Sequence, residues 1–318
     1  MLTWSEGLAS PNRSPGLRRA IVATLRLGTR GSTLARRQTE LVSQALAATH
    51  PGIAIETVEV RTEGDRRQDV PLEEMGGQGV FVKEIEQRLL TGEIDIAVHS
   101  LKDMPSELPA GLTLGALLPR GDVRDALVGR DGLDLAGLTA GARIGSDSRR
   151  RAVQLMALRP DIEVVSIRGN VDTRLRKVDA GEYDAVALAV AGLERLGLGD
   201  RATQVFSERE VLPAAGQGAI AVECRTDDVE TMGLLAVIDD PSTRIATDAE
   251  RAFLRAMGAG CRLPIAAYAT VDEGRLRLEA MIADDAGKMF RGAASGSVES
   301  AENLGSSLAH RLRIEARV

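Results

Sequence analysis

The chain has 318 residues, of which 44% are hydrophobic and 27% charged, and its formal net charge is −6 at pH 7. This length predicts two or three domains with hydrophobic cores. The acidic balance and the aromatic content of 2% argue against a general nucleic-acid binder. No apolar run approaches the roughly 20 residues of a membrane-spanning helix, and the N-terminus lacks a signal-peptide pattern, so we expect a cytoplasmic protein.

Arginine dominates the basic residues, with 36 arginines against 4 lysines. The planar guanidinium binds carboxylates and phosphates through two parallel hydrogen bonds, so clustered arginines in an acidic protein predict a small polyanionic ligand. A genomic bias toward arginine codons is the alternative explanation of the excess. The positions of the arginines therefore carry more information than their number.

The chain begins with residues 1–20, whose Ser, Pro, Arg and Gly content predicts a disordered extension, with a misplaced start codon as the alternative. Residues 21–27 have the pattern of a first strand, and a glycine-rich turn at 28–32 leads into a helix with apolar spacing from Leu34 to Leu46. Backbone N–H groups at such a helix start form an anion site, in which Arg30 and Ser32 would lie.

A second strand at residues 53–60 and a helix at about 80–90 precede the most informative stretch, residues 92–105. Its apolar run at 93–100 predicts a buried strand, and its polar residues collect at the carboxyl end, where open α/β sheets place their chemistry. Lys102 and Asp103 lie there with His99 and Ser100, and we take Asp103 as the leading catalytic candidate. The alternative is that Asp103 only caps a helix.

The next part of the chain repeats this pattern. Residues 142–148 and 162–167 have the pattern of two strands, and the stretch from Gly181 to Ala187 echoes the stretch from Gly92 to Val98. Two related βα lobes with a cleft between them are therefore predicted. The first lobe carries about 18 extra residues that include polar and glycine-rich segments, which favours a mobile lid, although an idle surface insertion is also possible.

Arginines follow the predicted strand ends of the second lobe. Arg149, Arg150 and Arg151 open a helix, Arg168 and Arg174 follow the second strand, and Arg195 lies in the turn after the third. If the sheets are doubly wound, these cations face one cleft together with the arginine of the first lobe. Residues 212–223 have the pattern of a hinge and a strand that returns to the first lobe.

From about residue 241 the pattern changes to a small α+β domain. The predicted elements are a helix at 246–257, strands at 265–271, 275–282 and 289–296, and a final helix near 301–312. Two cysteines are too few for a disulfide framework. Cys261 lies in a glycine turn before a proline, so its thiol could project from a loop, whereas Cys224 lies in a predicted strand and is expected to be structural.

Six motifs follow one another along the chain. They are Gly28-Thr29-Arg30-x-Ser32, Gly76-Gly77-x-Gly79-Val80-Phe81, Ala97-Val98-His99-Ser100-Leu101-Lys102-Asp103, Arg168-Gly169-Asn170-Val171, Ala214-x-Gly216-Gln217-Gly218-Ala219 and Gly260-Cys261-x-x-Pro264-Ile265. In these motifs and their order the sequence resembles the hydroxymethylbilane synthase family, also called porphobilinogen deaminase. The resemblance runs from about residue 25 to the C-terminus, and such a set of motifs is highly specific.

The resemblance implies an α/β fold with two doubly wound lobes like those of periplasmic binding proteins and a small α+β C-terminal domain. The implied division is an extension at 1–20, domain 1 at 21–118 with 217–238 and a lid at about 62–80, domain 2 at 119–216, and domain 3 at 239–318. It also implies a transferase of tetrapyrrole biosynthesis that deaminates four porphobilinogen units and joins them head to tail. The units are added to a dipyrromethane cofactor on Cys261, and hydroxymethylbilane is released.

The family pattern also implies roles for single residues. The implied catalytic residues are Asp103 and Lys102, because a carboxylate near the pyrrole nitrogens stabilises the positive charge left by departing ammonia. The implied cofactor-binding residues are Cys261, Arg30, Ser32, Lys102, Asp103, Ser148, Arg150, Arg151, Arg168 and Gly169. The implied substrate-binding residues are Arg30, Gln38, Phe81, Arg168, Arg174 and Arg195. The resemblance further implies a monomer that acts on the small molecule porphobilinogen, without a metal, nucleic acid or membrane.

Departures from the family pattern affect the lid and the cofactor site. They are Gln78 in place of a common lysine, Ala259 in place of a glycine, Val123 in place of a proline, and Asp147 and Arg149 in the turn before the paired arginines. Two other functions stay open. A two-lobed binding protein for a small polycarboxylate would have no use for the cysteine turn or the catalytic carboxylate, and an inactive paralogue would lack a catalytic residue, whereas none is missing here.

Overall fold

The computed structural model describes residues 24–62, 82–258 and 263–317. The predicted extension at 1–20, nearly all of the predicted lid, Phe81 and Cys261 lie outside these residues. In the described ranges, no helix is long and apolar enough to cross a membrane.

Thirteen strands and eight α-helices make up the described part of the chain. The strands are β1 Leu25–Arg30, β2 Ile55–Val60, β3 Ile96–Ser100, β4 Leu112–Leu117, β5 Asp125–Gly129, β6 Arg143–Gly145, β7 Glu163–Val165, β8 Ala185–Ala189, β9 Gln204–Val205, β10 Ile220–Arg225, β11 Ile265–Asp272, β12 Arg275–Ala283 and β13 Met289–Ser297. The helices are α1 Thr33–Thr49, α2 Lys83–Leu90, α3 Arg149–Leu158, α4 Val171–Asp179, α5 Val190–Arg195, α6 Val229–Ala236, α7 Pro241–Met257 and α8 Ala301–Ala316.

Two five-stranded sheets share one plan. The first has the order β2-β1-β3-β10-β4, with β1 parallel to β2 and β3 and β10 antiparallel to its neighbours. The second has the order β7-β6-β8-β5-β9, with β6 parallel to β7 and β8 and β5 antiparallel to its neighbours. We call the first sheet with α1, α2 and α6 the first lobe, and the second sheet with α3, α4 and α5 the second lobe. The two predicted lobes are confirmed, and each sheet is mixed rather than purely parallel.

The stretches at residues 92–98 and 181–187, which are similar in sequence, also make the same hydrogen bonds. In the first lobe, the N–H of Asp95 donates to the carbonyl of Arg26 at 2.8 Å, and the Asp95 carboxylate accepts from the N–H of Arg26 at 2.9 Å. In the second lobe, Asp184 makes the same two contacts with Arg143, at 3.0 and 2.8 Å. The same turn into the third strand is therefore built twice.

The chain crosses between the lobes at two places. The first crossing segment, residues 118–124, leads from β4 to β5, and the second, residues 206–219, leads from β9 back to β10. The returning strand β10 pairs with β3 over the register Ile220 to Ser100 and Cys224 to Ile96. Because the first lobe is completed by a late part of the chain, the lobes are tied together beside the cleft.

The C-terminal part is an antiparallel sheet of order β11-β12-β13 packed against α7 and α8. Phe253 of α7 and Leu308 and Leu312 of α8 belong to its buried core. A Cβ at Gly305 would lie 2.3 Å from the carbonyl oxygen of Ala249, so the two helices approach too closely for a larger residue. This is the small α+β unit that the sequence predicts.

Several predicted boundaries are wrong by a few residues. The strand β1 extends to Arg30, because Arg30 still pairs with Val60, so the glycine turn begins only at Gly31. Arg195 is the last residue of α5 rather than part of a turn. The helix-cap alternative for Asp103 is also wrong, since Asp103 ends a single 3₁₀ turn and the next element is the strand β4.

Candidate active site

A cleft of about 830 Å³ lies between the two lobes. It is lined by the carboxyl ends of parallel strands and by the starts of the helices that follow them, as expected for open α/β sheets. The structure brings together twelve of the fourteen predicted site residues, and the other two, Phe81 and Cys261, lie outside the described residues. The twelve are Arg30, Ser32, Gln38, Lys102, Asp103, Ser148, Arg150, Arg151, Arg168, Gly169, Arg174 and Arg195.

On the first-lobe side, α1 begins at the cleft, where the anion site is predicted. Ser32 caps this helix by accepting a hydrogen bond from the N–H of Ala35 at 3.2 Å. One turn further on, the Gln38 amide donates to the hydroxyl of Ser100 at 2.8 Å, which links the helix to the end of β3. The start of α1, which carries the positive end of the helix dipole, therefore lies at the cleft beside Arg30.

The turn after β3 presents two charged groups in different surroundings. Asp103 is exposed on the cleft wall, and its carboxylate makes no hydrogen bond or ion pair with any residue in the described ranges. Lys102 is half-buried and donates from Nζ to Oε1 of Gln217 at 3.2 Å. Burial, reinforced by the positive charge of Arg151, lowers the pKa of Lys102 to about 8. The site thus offers an uncommitted carboxylate and an amine that exchanges its proton near neutrality.

His99, which the sequence places at the same strand tip, does not line the cleft. Its Nε2 lies 3.0 Å from the Oε2 of Glu223, and both side chains are buried within the first lobe. The side chain of a strand residue alternates in direction with those of its neighbours, so His99 and Ser100 point to opposite faces. His99 is therefore part of the core of the first lobe.

On the second-lobe side, a buried carboxylate holds the paired arginines. Ser148 caps α3 by accepting from the N–H of Arg151, and Arg150 and Arg151 follow in the first turn. Asp125 lies 2.7 Å from Nη1 of Arg150 and 2.6 Å from Nη2 of Arg151. Burial alone raises the pKa of Asp125, but the two guanidinium groups outweigh it and hold the pKa well below its usual range. The arginine pair is thus fixed before any ligand binds.

Two further cations of the second lobe are held by backbone carbonyls. Arg174 donates from Nε to the carbonyl of Gly169 at 2.8 Å, and Arg195 donates from Nη2 to the carbonyl of Gly218. Eight cationic side chains and three carboxylates of the described residues line the cleft. A ligand with several carboxylates matches this imbalance.

Sequence reasoning missed several cleft residues and the carboxylate behind them. Asp125 lies in no motif, and its partners follow it by more than 20 residues, so no local signal indicates it. Gln217 belongs to the family motif at residues 214–219, but the motif by itself does not indicate what its side chain contacts. Arg61 follows β2 as Arg168 follows β7, and the internal repeat could have indicated it.

Two models of known protein families together match nearly all of the described residues. The model described as "Porphobilinogen deaminase, dipyromethane cofactor binding domain" matches residues 25–233, and the model described as "Porphobilinogen deaminase, C-terminal domain" matches residues 245–313. The chain belongs to the porphobilinogen deaminase family. The predicted resemblance is therefore confirmed, and with it an enzyme of tetrapyrrole biosynthesis.

Curated members of the porphobilinogen deaminase family are similar over almost their whole length. The porphobilinogen deaminase of Roseiflexus castenholzii is 49% identical over 91% of this chain and 95% of its own. That of Syntrophotalea carbinolica is 48% identical over 91% of this chain and 92% of its own. This coverage includes both lobes and the C-terminal sheet.

Solved structures match this chain only at low similarity. The VFT2 domain of Bordetella pertussis BvgS is 20% identical, with 68% of this chain and 86% of that chain covered and a TM-score of 0.41. The periplasmic aliphatic sulphonate binding protein SsuA of Escherichia coli is 17% identical, with 73% and 70% covered and a TM-score of 0.38.

The part of the chain matched by the cofactor-binding model includes the whole cleft. A dipyrromethane with an acetate and a propionate on each pyrrole carries four carboxylates, which the cationic cleft can accommodate. The Nε atoms of Arg150 and Arg168 are buried and have no hydrogen-bond partner among the described residues. Buried donors of this kind are normally satisfied, so these guanidinium groups fit a bound polycarboxylate.

Proposed function

We propose that this chain removes ammonia from four porphobilinogen molecules, joins them head to tail on a dipyrromethane attached to Cys261, and releases hydroxymethylbilane. The observation that carries the proposal is the arrangement across the cleft. The paired Arg150 and Arg151, fixed by Asp125, face the turn that presents Lys102 and Asp103. We also propose that the chain forms three domains, at residues 21–118 with 217–238, at 119–216 and at 239–318.

In this proposal the arginines bind the acetate and propionate groups of cofactor and substrate. Arg150, Arg151 and Arg168 hold the cofactor, together with Ser148, Ser32, Arg30 and the backbone of Gly169. Substrate is bound by Arg30, Arg168, Arg174, Arg195, Gln38 and Phe81. The buried guanidinium groups of the second lobe are already ordered by protein contacts, so binding costs little additional side-chain entropy.

Asp103 and Lys102 carry the chemistry. Departure of ammonia from the aminomethyl group of porphobilinogen leaves positive charge on the pyrrole that is to be coupled. The Asp103 carboxylate faces the cleft without a hydrogen-bond or ion-pair partner among the described residues, so its charge is available to stabilise this positive charge. Lys102, with its pKa lowered to about 8, can hold or release a proton close to the reacting groups at neutral pH.

The position of α7 supports the assignment of Cys261 to the cofactor. This helix ends at Met257, shortly before the cysteine turn. Arg251 of α7 donates to the carbonyl of Ser106, which follows the Asp103 turn, and the buried carboxylate of Glu250 accepts from the N–H of Gly216 at 2.7 Å. The helix that leads to Cys261 is therefore anchored to two segments beside the cleft.

The experiment is an intact-mass measurement of the purified protein, combined with an aldehyde reagent that colours pyrroles with a free α position. We expect a mass excess and a colour reaction in the wild type, and neither in Cys261→Ser. Cys224→Ser is the matched control, because Cys224 is buried in β10, where burial raises the pKa of its thiol to about 11 and keeps it unreactive.

Two outcomes would contradict the proposal. One is an active wild-type protein without a covalent adduct, and the other is an adduct that persists in Cys261→Ser. Ammonia release on addition of porphobilinogen separates the enzyme from a two-lobed binding protein, which would bind the compound and leave it intact.

A further inference from the structure

Gln217 occupies a constrained position in the second crossing segment. It is fully buried and lies between two glycines with left-handed backbone, Gly216 at φ +72° and Gly218 at φ +86°. Its backbone carbonyl accepts from Nε of Arg120 at 2.9 Å. The backbone at this point is therefore fixed by neighbours on both sides, and the direction of the Gln217 side chain is fixed with it.

The Gln217 amide reaches residues of both lobes. Its Oε1 accepts from Nζ of Lys102 in the first lobe at 3.2 Å. Its Nε2 donates to the carbonyl of Val123 at 2.7 Å and to Oδ1 of Asp125, in the second lobe, at 3.0 Å. Only this orientation of the amide pairs every donor with an acceptor, because a flipped amide would turn its oxygen toward two acceptors.

We propose that Gln217 is a positioning residue. It joins Lys102 through a hydrogen bond on one side to Asp125, the carboxylate that fixes the arginine pair, on the other. This inference rests on the proposed function, in which Lys102 acts in the reaction and the arginines bind the cofactor. Gln217 thereby links the catalytic turn of the first lobe to the cofactor-binding side of the second.

A neutral amide suits this position better than a carboxylate. An amide oxygen accepts a hydrogen bond from a lysine amine in either protonation state, whereas a carboxylate would hold the ammonium form strongly. The charged groups around Lys102 are Arg150 and Arg151, which oppose its positive charge, and Asp103 and Asp125, which favour it. With the neutral Gln217 in contact, these groups leave the Lys102 amine able to exchange its proton near neutral pH.

The test measures the titration of Lys102 directly. The chain contains four lysines, so protein labelled with ¹³C at lysine Cε gives four signals, and Lys102→Arg identifies the one from Lys102. The holoenzyme is titrated without substrate. In Gln217→Glu we expect the midpoint of the Lys102 signal to rise by about one pH unit or more, because the new carboxylate lies in direct contact. In Gln217→Met, which keeps the approximate shape and loses the acceptor, we expect the midpoint to fall.

Gln154→Met is the matched control. Gln154 is also a buried glutamine of the second lobe, and it bonds to the backbone of Leu212 and Arg150 without contacting Lys102. We expect its substitution to leave the midpoint of Lys102 unchanged. A kinetic measurement gives a second readout, since the basic limb of the kcat profile should follow the Lys102 midpoint in each variant.

An unchanged midpoint in Gln217→Met would overturn the inference, and this variant decides because, unlike Gln217→Glu, it places no second carboxylate beside Asp125. An equal shift in Gln154→Met would also overturn it, since the effect would then be a general loosening of the lobe. Failure of the proposed function is seen separately, as a wild-type protein that releases no ammonia from porphobilinogen.

Discussion

The buried carboxylate Asp125 offers the sharpest test of how the cleft is held together. We predict that Asp125→Asn destabilises the protein strongly, although it only replaces one carboxylate oxygen by an amide NH2 group and keeps the side-chain shape. Asp125 lies 2.7 Å from one guanidinium and 2.6 Å from another, and all three side chains are almost fully buried. Loss of its charge leaves Arg150 and Arg151 side by side without compensation.

The magnitude follows from this geometry. Removal of one partner from a buried ion pair typically costs about 3–5 kcal/mol of unfolding free energy. Because one carboxylate here compensates two cations, we expect a value near the upper end, about 5 kcal/mol. The matched control is Asp122→Asn, three residues earlier. Asp122 pairs with Arg124, whose side chain is 42% exposed, so its loss should cost about 1 kcal/mol or less.

The assay is urea unfolding followed by circular dichroism at several pH values. The pKa of Asp125 is lower in the folded protein than in the unfolded chain, where it is about 4. The charged form therefore stabilises the fold above pH 4, and this contribution is lost as the pH falls toward the folded pKa. The difference between wild type and Asp125→Asn should be full at pH 7 and shrink below pH 4. If Asp125→Asn behaves like Asp122→Asn at pH 7, the arginine pair does not depend on this carboxylate.

Three further predictions address the reaction, a buried acid and the crossing segment. Asp103→Asn should reduce porphobilinogen consumption by cofactor-loaded protein by about two to three orders of magnitude or more, equivalent to about 3–4 kcal/mol, with unchanged unfolding; a rate within a few-fold of wild type would exclude the catalytic role. Burial raises the pKa of Glu86 from 4.5 to about 7, so the fold loses stability progressively between about pH 4.5 and pH 7, and the unfolding free energy of Glu86→Gln from urea titrations should exceed that of wild type by about 2 kcal/mol at pH 8 and equal it at pH 4. Gly218→Ala should lose about 1–3 kcal/mol in thermal unfolding, because Gly218 has φ +86° and a Cβ would lie 2.5 Å from the Gly121 carbonyl; Gly233→Ala, in an open helical position, should gain about 0.5 kcal/mol, and equal effects would contradict this account.

Local sequence was sufficient for the elements and for much of the cleft. The apolar run of β3 predicts a buried strand because both faces of a central strand must be covered, and the polar residues at its end then lie at the carboxyl edge. Ser32 and Ser148 indicate helix starts because their side chains satisfy free N–H groups. The twelve described site residues chosen on such grounds and on the family motifs line one cleft, whereas His99 and Arg149, which the same patterns placed there, do not line it.

Boundaries within the elements depend on pairing rather than on propensity. The glycine Gly28 suggests a turn, yet it lies inside β1 because its backbone pairs with β2 and a Cβ there would lie 2.3 Å from Ile94. Arg195 looks like a loop residue, yet it closes the short helix α5. In both cases neighbours that are distant in sequence decide the local conformation.

The amino-acid sequence by itself determined the two-lobed α/β class, the family and the cationic character of the cleft, because periodicity, motifs and charge are local properties of the chain. Only the tertiary structure showed that Asp125 fixes the arginine pair and that Gln217 joins this carboxylate to Lys102. These contacts span 25 to 115 residues and involve the two crossing segments. A buried charge or amide is defined by its partners, and no sequence window contains partners that only the folding of both lobes brings into contact.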